Sequence, residues 1–484
     1  MHTVILSDLH LADAEPLDPK RPLWKAFKRR EHFVDADVAR LLAHAADQAE
    51  AAGDSCEAVF NGDVFDFDPI TRMPDPPPSP VHWLARLRGL GTEEWMSAFK
   101  MDLIVADHPG FFGAIRDFVR RGHHVVFVCG NHDLELVWPA VQDKVRDALG
   151  LDEVGQSRVR FCDWFYLSEG DTYVSHGHQA DPYCVVPDPI HPLISVRGRA
   201  AVRLPFGDVA NRYMLNGMGY FNPHATANYI MSGREYVRFF FKYMVRDQPL
   251  LVWTWFWSAA VTLLVTLAHF LRPALRDPLM VEEKVQSVAD RSGASPAMVR
   301  QLSATHVAPA ATNPLMITRE LWLDRAILYM AMVYVSWQVV MAVNLVWAIS
   351  PLWVLLPFAL LFPLFLQYSF RVKPETFAEP LMTERRAEWV HRITGARYAV
   401  MGHTHIPELA DIGPLRFCNG GFWSPAFAEP ECRNRIGTQT FVWLRPGAEG
   451  RELGLWEWPP GGDAPRPFEL DGPAVDPSSS AAAT

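Results

Sequence analysis

Five short apolar runs in this chain each stop at a polar cluster rich in histidine and aspartate, and that repetition narrows the folds open to it. Residues 3–6 run into SDLH, 58–60 into NGDVFD, 125–128 into CGNHD, 172–174 into SHGH and 397–401 into GHTH. Apolar, β-branched runs of this length that end abruptly in polar residues read as buried strands with polar ends. Helix-like segments at 33–52 and 109–121 separate the first three runs. The beginning therefore reads as β-α-β, an α/β fold with parallel pairing, in which ligand-binding residues gather at the carboxyl ends of strands. The fifth run lies more than two hundred residues after the fourth, so a large insertion separates them.

The remaining composition narrows the class. A net charge of -10 argues against a nonspecific nucleic-acid binder, which needs a surplus of Lys and Arg, so no nucleic-acid partner is expected. The six cysteines (Cys56, Cys129, Cys162, Cys184, Cys418, Cys432) are scattered without a C-x-x-C pair, which indicates neither a disulfide framework nor a zinc ribbon. The apolar run after Met1 gives way to charge by Asp8, too early for a signal peptide. Residues 68–80, DPITRMPDPPPSP, read as an irregular proline-rich loop. The expected organisation is an α/β domain in two parts, 1–195 and 385–463, around a helical insertion at 196–384, with a disordered tail at 464–484.

The polar clusters carry the chemistry. Side chains two apart on an extended chain point the same way, so Asp8 with His10, and His403 with His405, can share one ion. Five clusters of one chemistry, all at predicted strand ends, point to a single site. Taken in order, D-x-H, G-D-x-x-D, G-N-H-D, H-G-H and G-H-T-H resemble the motifs of the calcineurin-like metallophosphoesterases. The match covers residues 1–180 and 385–422, including the stretch CNGGFWSP.

That resemblance implies a sandwich of two mixed β-sheets flanked by helices, with a two-metal centre at one edge. By matching position, Asp8, His10, Asp63 and His405 would hold one ion and Asp63, Asn131, His176 and His403 the other, with Asp63 bridging. A nitrogen and oxygen ligand set without thiolate suits two divalent ions such as Mn, Fe or Zn. Such a pair generates hydroxide and steadies an in-line displacement at phosphorus. His132 would steady the phosphoryl oxygens or protonate the leaving oxygen, with Asp66 holding its tautomer. Asp133 reads equally as a site residue or as the cap of a helix beginning near Leu134.

Within the insertion, residues 250–271, 326–349 and 352–370 are uncharged and apolar, each close to the roughly 20 residues that cross a bilayer as a helix. Three crossings would put His403 and His405 on the opposite side from Asp8, so the number must be even. Arg325 precedes the second run and Arg371 with Lys373 follows the third, which suits a hairpin with both ends cytoplasmic. Basic residues also flank the first run at both ends, so it reads as re-entrant or interfacial. Just before it, Arg234, Arg238, Lys242 and Arg246 form a basic stripe among aromatics, as on a helix lying on anionic lipid. The alternative is a soluble helical lid.

The expected function is thus metal-dependent hydrolysis of a phosphate ester or pyrophosphate, with a lipid-linked phosphate as candidate substrate, on the cytoplasmic side of a membrane. In this the chain is similar to the UDP-2,3-diacylglucosamine pyrophosphatase branch, from which it departs in carrying His132 where that branch commonly has Arg, and in its larger, more apolar insertion. Two alternatives stand beside it: a soluble-substrate phosphodiesterase or nuclease, and a catalytically silent membrane scaffold.

Overall fold

The computed structural model describes residues 1–220, 222, 238–245, 250–372, 380–427 and 429–470. The chain opens with β1 (His2–Leu6), α1 (Asp35–Ala51), β2 (Cys56–Asn61), α2 (Trp83–Arg88), α3 (Glu94–Asp107), α4 (Pro109–Arg120), β3 (His124–Val128), α5 (Pro139–Leu149) and α6 (Glu153–Gln156). Next come β4 (Val159–Cys162), β5 (Phe165–Ser168), β6 (Thr172–Ser175), β7 (Leu193–Val196), β8 (Arg199–Val202) and α7 (Phe206–Tyr213). The middle is helical: α8 (Leu251–Leu271), α9 (Val281–Ser292), α10 (Pro296–Ser303), α11 (Pro314–Glu320), α12 (Leu323–Asn344), α13 (Leu355–Arg371) and α14 (Glu384–Thr394). The last strands are β9 (Tyr398–Met401), β10 (Glu408–Ile412), β11 (Leu415–Asn419), β12 (Gln439–Gly447), β13 (Gly450–Trp458) and β14 (Arg466–Pro467).

These strands build two mixed sheets. The first has the order β14-β13-β12-β1-β2-β3-β4, parallel from β1 to β4 and antiparallel beyond β12. The second has the order β10-β11-β9-β6-β5, with β6, β9 and β11 parallel. The period of two along β1 explains how they meet. Val4 and Leu6 pack with Val38, Leu41 and Ala45 of α1. Ile5, between them, faces the other way and joins Val174, Val400 and Cys418 of the second sheet. All five strands expected from the sequence are present, and β1, β2, β3, β6 and β9 each end at one of the polar clusters.

The insertion differs from expectation in two ways. It is not all-helical, because β8 pairs with β7 as a hairpin at its start. Nor is it a single apolar unit: α9 and α10 return to the α/β body, where Val285, Val288, Ala289, Val299 and Leu302 pack on Trp164, Phe165 and Phe417 of the second sheet. The spacing of Val281, Val285 and Val288 on an otherwise charged segment is the ordinary stripe of a soluble amphipathic helix. The second part of the α/β domain also extends past residue 463, since β14 pairs with β13 and Phe468 N donates to Leu455 O at 3.0 Å. Residues 471–484 lie outside the described residues, as do Arg234, Arg246 and Lys373. Lys242 sits in the short helical turn Phe240–Met244 with its side chain largely exposed.

Candidate metal centre

Five loops bring the clusters to one place. Asp8 and His10 follow β1, Asp63 and Asp66 follow β2, Asn131 and His132 follow β3, His176 follows β6, and His403 and His405 follow β9. Backbone hydrogen bonds lace the loops together: Asp8 N donates to Gly62 O, His10 N to Asp63 O and Gly402 N to His176 O. Two glycines permit the approach. A Cβ on Gly130 would stand 2.2 Å from Asp63 Oδ1, and one on Gly402 2.5 Å from Asp8 Oδ2. This explains why glycine precedes Asn131 and His403. Asp8, His10, Asp63, His403 and His405 all adopt positive φ, between 49° and 71°. Non-glycine residues hold that conformation at a cost of about 1–3 kcal/mol each, and such residues cluster where function fixes side-chain direction.

All nine candidate residues meet. His405 Nε2 lies 3.1 Å from Asp8 Oδ1 and 3.3 Å from His10 Nε2. His176 Nε2 lies 3.0 Å from Asp63 Oδ2, and His10 Nε2 is 3.9 Å from both Asp8 and Asp63. Asp8, His10 and His405 thus form one compact donor group and Asp63, His176 and His403 another, each with its ligand atoms within 4.8 Å of one another. Imidazole nitrogens directed at each other and at carboxylates are an arrangement that a cation satisfies.

The outer partners support that reading. His176 Nδ1 is 2.9 Å from Asn61 O and His403 Nε2 is 2.9 Å from Asp181 Oδ2, so each ring can give one N–H outward and keep a lone pair for the centre. Asn131 Oδ1 is buried with no hydrogen-bond partner among the described residues, an uncompensated acceptor that a metal would satisfy. These buried His and Asp groups can therefore hold metal ions.

The field of the carboxylates is strong. Burial works against charge on His132, yet Asp66 and Asp63 hold its pKa well above the ordinary histidine value. Burial likewise opposes charge on His176, and Asp63 and Asp8 raise it to about 9. Asp63 and Asp66 sit well below the usual carboxylate range, because the histidines around them outweigh the cost of burial. A field that favours imidazolium here also favours a divalent cation, which competes with those protons.

His132 is set apart. Its Nδ1 lies 3.0 Å from Asp66 Oδ1 and 3.6 Å from Asp68 Oδ2, and its side chain keeps partial exposure. Asp133 stands at the N-cap position of the 3-10 turn Leu134–Val137, as the cap reading placed it, but its side chain caps nothing there: its carboxylate accepts Gly130 N at 2.6 Å and Val64 N at 2.8 Å, tying the second loop to the third.

Several neighbours were not anticipated from the sequence. Asp68, two residues after Asp66, was visible in the same cluster. Asp181 orients His403. Asp208, Asn211 and Arg212 come from α7, inside the insertion: Asp208 Oδ1 accepts Asn131 Nδ2 at 3.2 Å, Asn211 Nδ2 lies 3.3 Å from His132 Nε2, and Arg212 bridges Asp68 and Glu135 at 2.6 and 2.7 Å. Their spacing by three and four residues, which gives a helix one polar face, was the only signal available.

Comparison of the chain with protein-family models gives no match, and none of the curated proteins matches it.

Proposed function

We propose that this protein is a dinuclear metal-dependent phosphoesterase of the calcineurin-like kind, hydrolysing a phosphate ester or pyrophosphate at the cytoplasmic face of a membrane. The observation that carries this reading is the meeting of Asp8 with His405, nearly four hundred residues apart, in a cluster with His10, Asp63, His176 and His403. Asp8, His10, Asp63 and His405 would hold one divalent ion and Asp63, Asn131, His176 and His403 the other. Asp63 suits the bridging place because its Oδ2 faces His176 and His10 together. A bound pair of such ions supplies a nucleophilic water of lowered pKa and neutralises charge on the phosphoryl group.

The chain's own residues do the rest. Asp66 accepts a hydrogen bond from His132 Nδ1, which fixes the ring and favours its protonated form. His132 Nε2 then gives a proton to the leaving oxygen. Asn131 offers a neutral oxygen, limiting negative charge where a phosphate anion must bind.

Among the described residues, three helices are long and apolar enough to cross a membrane, within 253–271, 323–344 and 351–371. Two of them, α12 and α13, pair through Tyr329, Phe358 and Phe365. They are joined at their base by Tyr368 Oη donating to Asp324 Oδ2 at 2.7 Å and by Arg325 donating to Val372 O. No charged residue lies between Arg325 and Arg371, which suits a hairpin that enters and returns. The third, α8, is bound to the body along its length: Arg88 reaches Ser258, Leu204 N reaches His269 Nδ1, and Arg203 reaches Arg272 O. Ser258, Thr262 and Thr266 form its buried face while Trp253, Leu264 and Leu271 are exposed. That favours an interfacial helix over a third crossing, and a phosphate carried on a lipid is the substrate such a placement suits.

Turnover of bis-(p-nitrophenyl) phosphate, p-nitrophenyl phosphate and a pyrophosphate diester by the purified full chain, before and after EDTA, tests the proposal. Turnover that EDTA abolishes and Mn restores is expected. Full metal content with no turnover on any of the three would favour the scaffold.

A further inference from the structure

Helix α7 belongs to the insertion, yet three residues on one of its faces reach the candidate metal centre. Asn211 touches His132, Arg212 fixes Asp68 and Glu135, and Asp208 binds Asn131. The third contact has a chemical consequence. A carboxyl oxygen that carries no proton accepts hydrogen bonds in either charge state of the group, so Asp208 Oδ1 meets the amide nitrogen of Asn131 and not its oxygen. An amide held by one end presents the other. Asn131 Nδ2 is 3.2 Å from Asp208 Oδ1, and Asn131 Oδ1, buried, has no hydrogen-bond partner among the described residues. Asp208 is itself fully buried, its Oδ2 has no hydrogen-bond partner among the described residues, and burial with Asp68 nearby pushes its carboxyl well above the usual carboxylate range.

We propose that Asp208 is a positioning residue of the metal centre: it turns the Asn131 carbonyl oxygen into the coordinating direction, so that a helix of the insertion completes the second ion's site. This rests on the two-ion reading above. Without the acceptor that Asp208 Oδ1 places there, the Asn131 amide divides its time between two orientations, one of which points N–H groups at a cation. Partners that orient a ligand in this way commonly change metal affinity by about 10–100-fold.

The test is Mn(II) binding to the full chain in detergent micelles, measured by titration calorimetry and by the exchange-coupled EPR signal of a dinuclear centre. The variants are Asp208→Asn alone and Asp208→Asn combined with Asn131→Asp. The single change preserves size but lets the amide at 208 pair with either end of Asn131. We expect it to weaken the second Mn(II) by about tenfold or more, leave the first within about twofold, and reduce the coupled signal. The double change restores the hydrogen bond with donor and acceptor exchanged and offers the ion a carboxylate oxygen. It should recover the second binding step to within a few-fold.

A single variant that binds both ions like the wild type overturns the proposal. So does a double variant no better than the single one, or a loss of both binding steps together with the thermal transition, which would mark a merely structural role. A wild-type chain that binds fewer than two Mn(II) ends the two-ion reading itself, and is distinguished by failing before any variant is compared.

Discussion

At the scale of single residues, the site rests on division of labour between neighbours in sequence. In the proposed reading Asn131 would face an ion and His132 the substrate, while Asp133 ties two loops, so consecutive positions would take three roles. For His132→Ala we expect retained metal and a turnover rate lower by about a hundredfold or more, the usual worth of a general acid. Unchanged turnover would remove His132 from the mechanism. Protonation gives a second prediction. His176 has a folded-state value of about 9, above its ordinary 6.5, so in the metal-free protein its contribution to stability is complete below about pH 6.5. That contribution is lost as pH rises through about 9. Thermal melts of EDTA-stripped protein should therefore show a falling transition temperature across that interval, and metal-loaded protein should not, because a bound ion replaces the proton. A flat profile in the stripped protein would contradict the assigned contacts. The nine residues named from the sequence were legible because each follows an apolar run directly. Asp181, Asp208 and Asn211 were not, since their neighbours in the chain carry no such pattern and only tertiary packing brings them in.

At the scale of elements, the period of two along β1 and the stripe of valines on α9 account for most of the body. What the sequence concealed was α9 and α10, because the long apolar runs on either side invited treating the whole insertion as one membrane unit. Their charged faces and buried valines place them on the second sheet instead. The paired helices α12 and α13 remain the clearest candidates to enter a membrane, with Leu360, Leu364 and Val335 exposed. Changing Val335 and Leu360 to Lys should cost about 2.5–3.5 kcal/mol per charge at mid-bilayer depth. The wild type should stay in the membrane pellet through carbonate extraction, and the doubly charged variant should be partly released. Release of the wild type would argue for a soluble lid.

At the scale of the whole molecule, a site split between the first 176 residues and residues 403–405 constrains everything placed between them. An insertion that entered a membrane would have to return the chain to the side it left, and through α7 the insertion also supplies contacts to the candidate centre it interrupts. The overall arrangement was legible because strand ends and ligands coincide, whereas the path of the insertion depended on packing that no local pattern encodes. The central claim is that these dispersed side chains hold a pair of cations. Elemental analysis of the purified full chain after dialysis against Mn(II), beside His176→Ala and His405→Ala, addresses it most directly. Two ions per chain in the wild type, with one site emptied or weakened in each variant, is the predicted result; a wild-type chain that retains none would contradict it.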